Sequence, residues 1–225
     1  MASGFSHAVA ALSIGTCFYR PGMPKRVWLA GAFCSVLPDI DVAGFHFGVR
    51  YADFWGHRGF THSLLFAALL ATLVTFLAFR RAPSVIPNGV LGERNPGWHP
   101  TLARSLRRSA VDPPKFFSAF KPLPSALPRT RLLWIWTYLF LATASHGFLD
   151  AMTDGGLGVA FFSPFNNARY FFPWRPIRVS PIGLNRFFTE RGLDVLQGEL
   201  LWIWLPSALL AAFAWFCQRR RRGTP

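Results

Sequence analysis

Five runs of apolar residues alternate with polar segments along this chain: Phe5–Tyr19, Val27–Leu37, Ser63–Phe79, Leu132–Ser145 and Leu200–Cys217. The 18 residues from His62 to Phe79 would span about 27 Å as a helix, which is close to the hydrocarbon thickness of a bilayer. The last run is equally long, and its Pro206 is tolerated in membrane helices. We therefore predict an all-α, polytopic membrane protein whose apolar runs form five helices.

The two N-terminal runs are shorter and flank the polar segment 20–26, which predicts a helical hairpin. Pro38 disfavours a helical conformation at Leu37, so we expect the second helix to end there. Such a helix would reach only about 16 Å, and we expect it to be re-entrant or buried against its neighbours. At the start of the third run, Thr61 is the expected N-cap.

Basic residues are concentrated in alternate segments between the runs. The formal net charge is +14: segments 20–26, 80–131 and 218–225 together carry +15, whereas 38–61 and 149–199 carry −1. By the positive-inside rule, five spans with the N-terminus outside place the whole basic excess in the cytoplasm. This distribution argues against specific nucleic-acid binding and favours a multi-pass protein with a cytoplasmic C-terminus.

The segment 81–131 holds nine of the 18 prolines and shows no helical or strand period. We predict a basic, mostly disordered cytoplasmic loop near anionic lipid, within a single membrane-embedded domain of residues 1–225. His99 in this loop and His46, between two phenylalanines, are not expected to be ligands. The cysteines lie inside apolar runs and are expected to pack rather than form disulfides: Cys17, Cys34 and Cys217.

Histidines and aspartates cluster at those ends of the apolar runs that are predicted to lie outside. Ionisable groups at membrane depth are rare and usually functional. Imidazole and carboxylate are also the ligands that zinc and related divalent metals bind. Because four distant segments would converge on one face, we predict a metal site drawn from six residues: His7, Asp39, His57, His62, His146 and Asp150.

The spacing within one of these clusters favours a shared ligand pair. His146 and Asp150 are four residues apart, so on a helix they lie on one face and form half of a zinc site. The alternative is a polar pair packed between helices. Asp154 continues the spacing, but Gly155 and Gly156 predict that the helix ends near it.

Two further pairs require non-helical backbone. Asp39 and Asp41 would point about 200° apart on an α-helix, so we expect an extended chain or a turn there. His57 and His62 need a turn between them, which Gly59 allows. The alternatives are a solvated acid, more plausible at Asp41, and interfacial hydrogen-bond donors at the two histidines.

The segment 151–199 alternates aromatic residues with arginines. One interpretation is an interfacial segment with aromatic anchors and arginines whose head groups reach water. The other is one wall of a lipid or phosphoester site, in which arginine binds phosphate. The arginines concerned are Arg169, Arg175, Arg178 and Arg186.

The order of these motifs resembles the YdjM family of bacterial membrane-bound metal-dependent hydrolases. The matching elements are His7, Leu-Pro-Asp39-Ile-Asp41, His57-Arg-Gly-Phe-Thr-His62-Ser, and Ser-His146-x-x-x-Asp150-x-x-Thr153-x-x-Gly156. The resemblance covers about residues 1–80 and 132–182 and leaves out the basic loop and the last run.

The YdjM family is distantly similar to zinc-dependent phospholipase C and P1 nuclease, which are helical enzymes with clustered zinc. Their His-x-x-x-Asp element matches His146 and Asp150. Their Asp-then-His pair matches Asp39 with either His57 or His62. The resemblance therefore implies a helical hydrolase of the bacterial inner membrane that binds one or two zinc ions.

We expect a metal-dependent hydrolase of phosphoesters or phospholipids, with its site on the periplasmic face. Asp41 is expected to act as a general base or to accept a hydrogen bond from a ligand histidine. Arg58 could steady a phosphate or orient a carboxylate. Membrane lipid is the expected partner. The alternatives are a membrane protein with a structural metal site, and a transporter or proton relay with these residues along a pore.

The charge distribution predicts the topology directly. A reporter fused after Cys217 should be active in the cytoplasm, and one inserted within 155–160 should be active in the periplasm, because basic segments are retained inside. A phosphatase and a fluorescent-protein fusion at each position provide the complementary measurements. A cytoplasmic signal from 155–160 would contradict the outer placement of the predicted site.

Overall fold

The protein is described here from a computed structural model, which covers residues 1–79, 127–180 and 190–222. His99 and most of the predicted loop, 81–131, lie outside the described residues. The end of that loop was predicted wrongly, because the fourth helix begins at Arg129. Every regular element in the described part is helical, in agreement with the prediction. The α-helices are α1 (Gly4–Phe18), α2 (Arg26–Val36), α3 (Leu64–Val74), α4 (Arg129–Ala151), α5 (Glu190–Glu199) and α6 (Leu205–Arg222).

The helix ends follow from local sequence. The Ser3 side chain caps α1 by accepting a hydrogen bond from the Ser6 backbone amide. The Ser63 side chain caps α3 through the amide of Phe66, so the prediction of Thr61 as the N-cap is wrong by two residues. The π turn Thr75–Phe79 extends α3, and a second π turn, Leu200–Trp204, joins α5 to α6.

The second apolar run does not stop at Pro38. The α-helix ends at Val36, but the chain continues as a 3₁₀ helix, Leu37–Phe47. Pro38 lies in the first turn of this helix, where a backbone amide has no helical hydrogen bond to make, so proline is tolerated there. Asp39 and Asp41 therefore lie on a 3₁₀ helix rather than on the expected extended chain or turn. The combined element, Arg26–Phe47, is 22 residues long, which is enough to cross a bilayer.

Helix α4 lies at the centre of the helical unit and packs against α1, α2 and α3, while α1 also packs against α6. Three helical stretches are long and apolar enough to span a membrane in the described residues: Arg26–Phe47, Arg129–Ala151 and Gly192–Arg221. Gly4–Phe18 and Leu64–Phe79 are shorter apolar helices. The three cysteines are free, in agreement with the prediction that they form no disulfide.

An irregular segment after α4 folds back onto the start of α3. The Leu64 amide donates to the carbonyl of Phe161, and the Ala160 amide donates to the carbonyl of Arg58. Two isolated β-bridges, Thr153 with Ile177 and Val159 with Tyr170, are the strand-like pairings of this region. These bonds hold the turn that carries His57 and His62 against the end of α4.

Glycines allow α1 and α2 to approach α4 closely. Tyr138 on α4 is fully buried, and a Cβ atom placed on Gly31 of α2 would lie 2.0 Å from its hydroxyl oxygen. A Cβ atom on Gly15 of α1 would likewise lie 2.4 Å from the Trp28 ring. The three helices therefore meet without space for a methyl group at these positions.

Replacing Gly31 by Ala should destabilise the fold by about 1–3 kcal/mol, because the added methyl group must separate α2 from Tyr138. The matched control is Gly198→Ala, since an added Cβ there meets no atom within 4 Å and alanine favours the helix. Thermal unfolding of the detergent-purified proteins by circular dichroism measures both. An unchanged Tm for the first variant would show that the helices are not packed in this way.

Candidate metal centre

Four side chains from three separate elements converge on one point. Each offers a ligand atom, and these atoms all lie within 4.8 Å of one another: Asp39, His62, His146 and Asp150. The first lies on the 3₁₀ helix, the second in the short turn before α3, and the last two on the final turns of α4. Both histidines and Asp150 are buried, and the Asp39 side chain is 11% exposed.

The ligand atoms face one another at short range. Nε2 of His62 and Nε2 of His146 are 3.1 Å apart, and Oδ1 of Asp39 is 3.3 Å from the latter. The Asp150 Oδ2 atom lies 3.6 Å from His62 Nε2 and 3.9 Å from His146 Nε2. Two nitrogens bound to one tetrahedral zinc ion lie about 3.4 Å apart, so the spacing fits such an ion.

In His62 and His146, the ring nitrogen that points away from the cluster, Nδ1, faces a hydrogen-bond acceptor. Nδ1 of His146 lies 2.6 Å from the carbonyl oxygen of Ser35, and Nδ1 of His62 lies 3.2 Å from Oδ2 of Asp41. Since neither oxygen can donate, each Nδ1 carries a proton, and in the neutral imidazole Nε2 presents a lone pair to the cluster. This is how ligand histidines are oriented in metal sites.

With both histidines neutral, the hydrogen-bond acceptors of the cluster therefore face one another. Both carboxylate oxygens of Asp39 are buried and have no hydrogen-bond partner within the described ranges 1–79, 127–180 and 190–222. Buried polar groups normally have partners. Two imidazole nitrogens and two carboxylates that converge in this way favour a positive charge between them, which a proton on His62 or a bound cation can supply, and the residues present fit a divalent metal with nitrogen and oxygen ligands.

The protonation of His62 reflects the same excess of negative charge. Burial by itself lowers its pKa, but the neighbouring carboxylates of Asp39, Asp41 and Asp150 stabilise the protonated ring, outweigh burial and raise the pKa of His62 to about 9. The carboxylates that hold a proton on His62 would hold a divalent cation in its place, because metal ligands bind in their deprotonated forms.

Asp41 lies next to the four-residue cluster and orients two of the histidines. Its Oδ2 accepts from the Thr61 hydroxyl at 2.6 Å as well as facing His62, and its Oδ1 accepts from Nδ1 of His57 at 2.8 Å. Asp41, His57 and His62 also form a second group of closely spaced ligand atoms. Burial lowers the pKa of His57, although its bond to Asp41 opposes this effect.

Arg58 neutralises Asp150. The guanidinium is fully buried, and its Nε donates to Oδ2 of Asp150 at 2.9 Å. Its other nitrogens donate to the Gly155 carbonyl at 2.8 Å and to the Thr153 hydroxyl at 2.9 Å. Of the two roles considered for Arg58, these contacts favour orienting a carboxylate over binding a phosphate, because its nitrogens are directed at protein groups.

The turn between His57 and His62 is built differently from the prediction. The left-handed residue is Arg58, with a φ of 63°, and not Gly59. Glycine is required at the next position for another reason, since a Cβ atom on Gly59 would lie 2.3 Å from the carbonyl oxygen of Phe54. Glycine is therefore needed at position 59 because the backbone of Phe54 lies too close for a side chain, and not because of a positive φ.

The remaining predicted residues lie at the edge of the cluster. His7 stacks on His146 with ring centroids 3.6 Å apart, and its Nε2 is 3.6 Å from Oδ1 of Asp150, but it is not in the four-residue group. Asp154 accepts from the Val179 amide and lies outside both ligand groups. His46 is exposed, as expected for a histidine that is not a ligand.

Two supporting residues were not found from the sequence. Ser35 contributes only its backbone carbonyl, which leaves no side-chain signal. Glu199 is fully buried and immediately precedes the last apolar run. An ionisable residue at the end of an apolar run is the sequence feature that could have identified it.

Comparison with known proteins supplies the family. A family model described as "YdjM inner membrane protein" matches residues 1–222. The chain belongs to the YdjM family. The inner membrane protein YbcI of Escherichia coli (strain K12) is 32% identical over 219 residues, which cover 97% of this chain and all of that protein. No solved structure matches.

The YdjM match extends further than the motifs indicated. It includes the basic loop and the last helix, which the motif resemblance left out, so residues 1–222 as a whole match the family. Together with the apolar helices, this identifies an inner membrane protein.

The geometry predicts a graded effect of substitutions on bound metal. His146→Ala and Asp150→Ala should each leave an incomplete ligand set and lose most of the metal, whereas Asp41→Asn should weaken affinity by about 10–100-fold because it disturbs only the orientation of His62. Metal content of the folded, detergent-purified proteins, measured by mass spectrometry, tests this order.

The matched controls for these variants are His46→Ala and Asp194→Asn, which alter an exposed histidine and an exposed aspartate. Both should keep the metal content of the parent protein. Full metal content in both the His146 and the Asp150 variants would rule out this cluster as the binding site.

Proposed function

We propose that this YdjM-family protein is a membrane-bound, metal-dependent hydrolase of phosphoesters, including those of phospholipids. The observation that carries the proposal is the convergence of two histidine nitrogens and two carboxylates, whose ligand atoms all lie within 4.8 Å of one another. A bound divalent ion, zinc by the chemistry of its ligands, would supply an activated water molecule and polarise a phosphoryl oxygen.

Of the surrounding residues, Asp41 and Arg58 are suited to hold such a site in place. Asp41 accepts hydrogen bonds on both oxygens, which supports an orienting role for it over that of a general base. Arg58 fixes Asp150 and balances its charge. The Asp41–His57 pair is the best-placed acceptor for a proton released during hydrolysis, since Nε2 of His57 has no partner in the part of the chain that the structure describes.

The outer aromatic segment supports contact with lipid. Phe165 is 86% exposed and Trp174 is 56% exposed, on the same irregular segment that packs against the turn before α3. Exposed aromatic side chains of this kind anchor at the membrane interface. We propose that the N-terminus lies outside, that the C-terminus is cytoplasmic, and that the metal centre faces the periplasm near the lipid head groups.

A second candidate is a structural metal site in a non-catalytic membrane protein. The burial of the ligands favours it, because the Asp39 side chain, at 11% exposed, is the most accessible of the four. A closed four-ligand site is typical of structural zinc, whereas a catalytic site keeps a position for water.

Hydrolysis should depend on the metal and on the cluster. Detergent-purified protein loaded with Zn²⁺ should hydrolyse bis-p-nitrophenyl phosphate or phospholipid vesicles, and removal of the metal by a chelator should abolish the rate. His146→Ala should reduce the rate by at least about 1,000-fold, since water activation requires the bound ion, while the exposed His46→Ala control should retain it.

The alternative has a distinct outcome. Stoichiometric metal in the parent protein, with no hydrolysis across phosphomonoesters, phosphodiesters and phospholipids, and a loss of thermal stability on chelation would support the structural site and contradict the enzyme.

A further inference from the structure

A buried carboxylate on the last helical stretch is not used by the metal cluster. Glu199 is fully buried at the end of α5, and it forms no ion pair with any residue in the described ranges. A charged group in such a position is strongly unfavourable unless several hydrogen bonds stabilise it. Its partners therefore indicate what it does.

Within residues 1–79, 127–180 and 190–222, Glu199 accepts three hydrogen bonds, and all of them come from the start of α1. Oε1 accepts from the Ser3 backbone amide, and Oε2 accepts from the hydroxyls of Ser3 and Ser6. Hydrogen bonds to an ionised carboxylate are stronger than those between neutral groups. The carboxylate thus fastens the beginning of the chain to a helix almost 200 residues away.

The π turn after Glu199 provides a second attachment to the same point. Nε1 of Trp204 donates to the Ser6 hydroxyl oxygen at 2.8 Å. Residues five apart on an α-helix point about 140° away from each other. The wider π turn Leu200–Trp204, with its i to i+5 pairing, brings the glutamate and the tryptophan round to one side, where both contact α1.

The segment held in this way contacts both metal ligands of α4. The Ala2 amide donates to Oδ1 of Asp150 at 2.9 Å. The His7 amide donates to the carbonyl of Ser3, one turn earlier, and the His7 ring stacks on His146. The position of Ser3 therefore fixes the groups that lie against both ligands.

We propose that Glu199 is a positioning residue of the metal centre, which acts by holding Ser3 and Ser6 so that Ala2 and His7 stay in contact with Asp150 and His146. The inference rests on the proposed metal centre but does not require hydrolysis. Glu199 is not itself a ligand, because it is absent from both groups of closely spaced ligand atoms among the described residues.

The test is a Co²⁺ titration of full-length, detergent-purified protein, followed by the visible absorption of the bound ion. Glu199→Ala should lower Co²⁺ affinity by about 10–100-fold and alter the shape of the absorption band, because Asp150 and His146 lose their outer contacts. Glu199→Gln keeps the shape and an acceptor oxygen, and should restore most of the affinity and the parent band. The matched control is Glu190→Gln, at an exposed position on the same helix, which should behave as the parent.

A second, smaller substitution keeps the test valid if the Glu199→Ala protein does not fold. Ser6→Ala removes one hydroxyl without opening a large space, and should lower Co²⁺ affinity several-fold. Combined with Glu199→Ala it should give less than the sum of the two effects, since both changes remove the hydrogen bond between Ser6 and Glu199. A folded Glu199→Ala or Ser6→Ala protein with the affinity and spectrum of the parent would overturn the proposal while leaving the metal centre intact. A parent protein that binds neither Co²⁺ nor Zn²⁺ would overturn both.

Discussion

The charge of Asp150 is the constraint around which the site is organised. The side chain is fully buried, yet Arg58 donates to one of its oxygens and the Ala2 amide donates to the other. An uncompensated carboxylate in this position would cost several kcal/mol. The end of α4, the left-handed turn at Arg58 and the start of the chain are brought together by the need to satisfy this one group.

The two aspartates of the 3₁₀ helix illustrate how neighbouring carboxylates acquire different roles. Asp41 receives hydrogen bonds from a threonine and two histidines, so its lone pairs are engaged by protein donors. Asp39, two residues earlier, faces the lone pair of His146 without a donor. A 3₁₀ helix turns about 120° per residue, so these side chains point in different directions, one toward His146 and one toward the histidine that it orients.

The sequence was most informative where chemistry and periodicity coincide. His146 and Asp150 could be paired from their spacing alone, and the apolar runs located α1, α2, α3, α4 and α6, whereas the polar helix α5 was not predicted. Properties that depend on tertiary contacts were not accessible. A proline can end a helix or begin one, and only packing decided that Leu37–Phe47 continues as a 3₁₀ helix. The shared contact of Glu199 and Trp204 with Ser6 depends on a π turn, which no residue pattern in the sequence predicts.

The two halves of the ligand set lie on opposite sides of the proline-rich segment. Residues 1–79 supply Asp39 and His62, and residues 127–180 supply His146 and Asp150, so each part alone offers one imidazole and one carboxylate. Neither part can hold an ion with more than half of the site. A bound metal would therefore act as a cross-link between the halves, with its binding energy added to the stability of their association, and the connecting sequence would be free to vary in length and composition without altering the coordination.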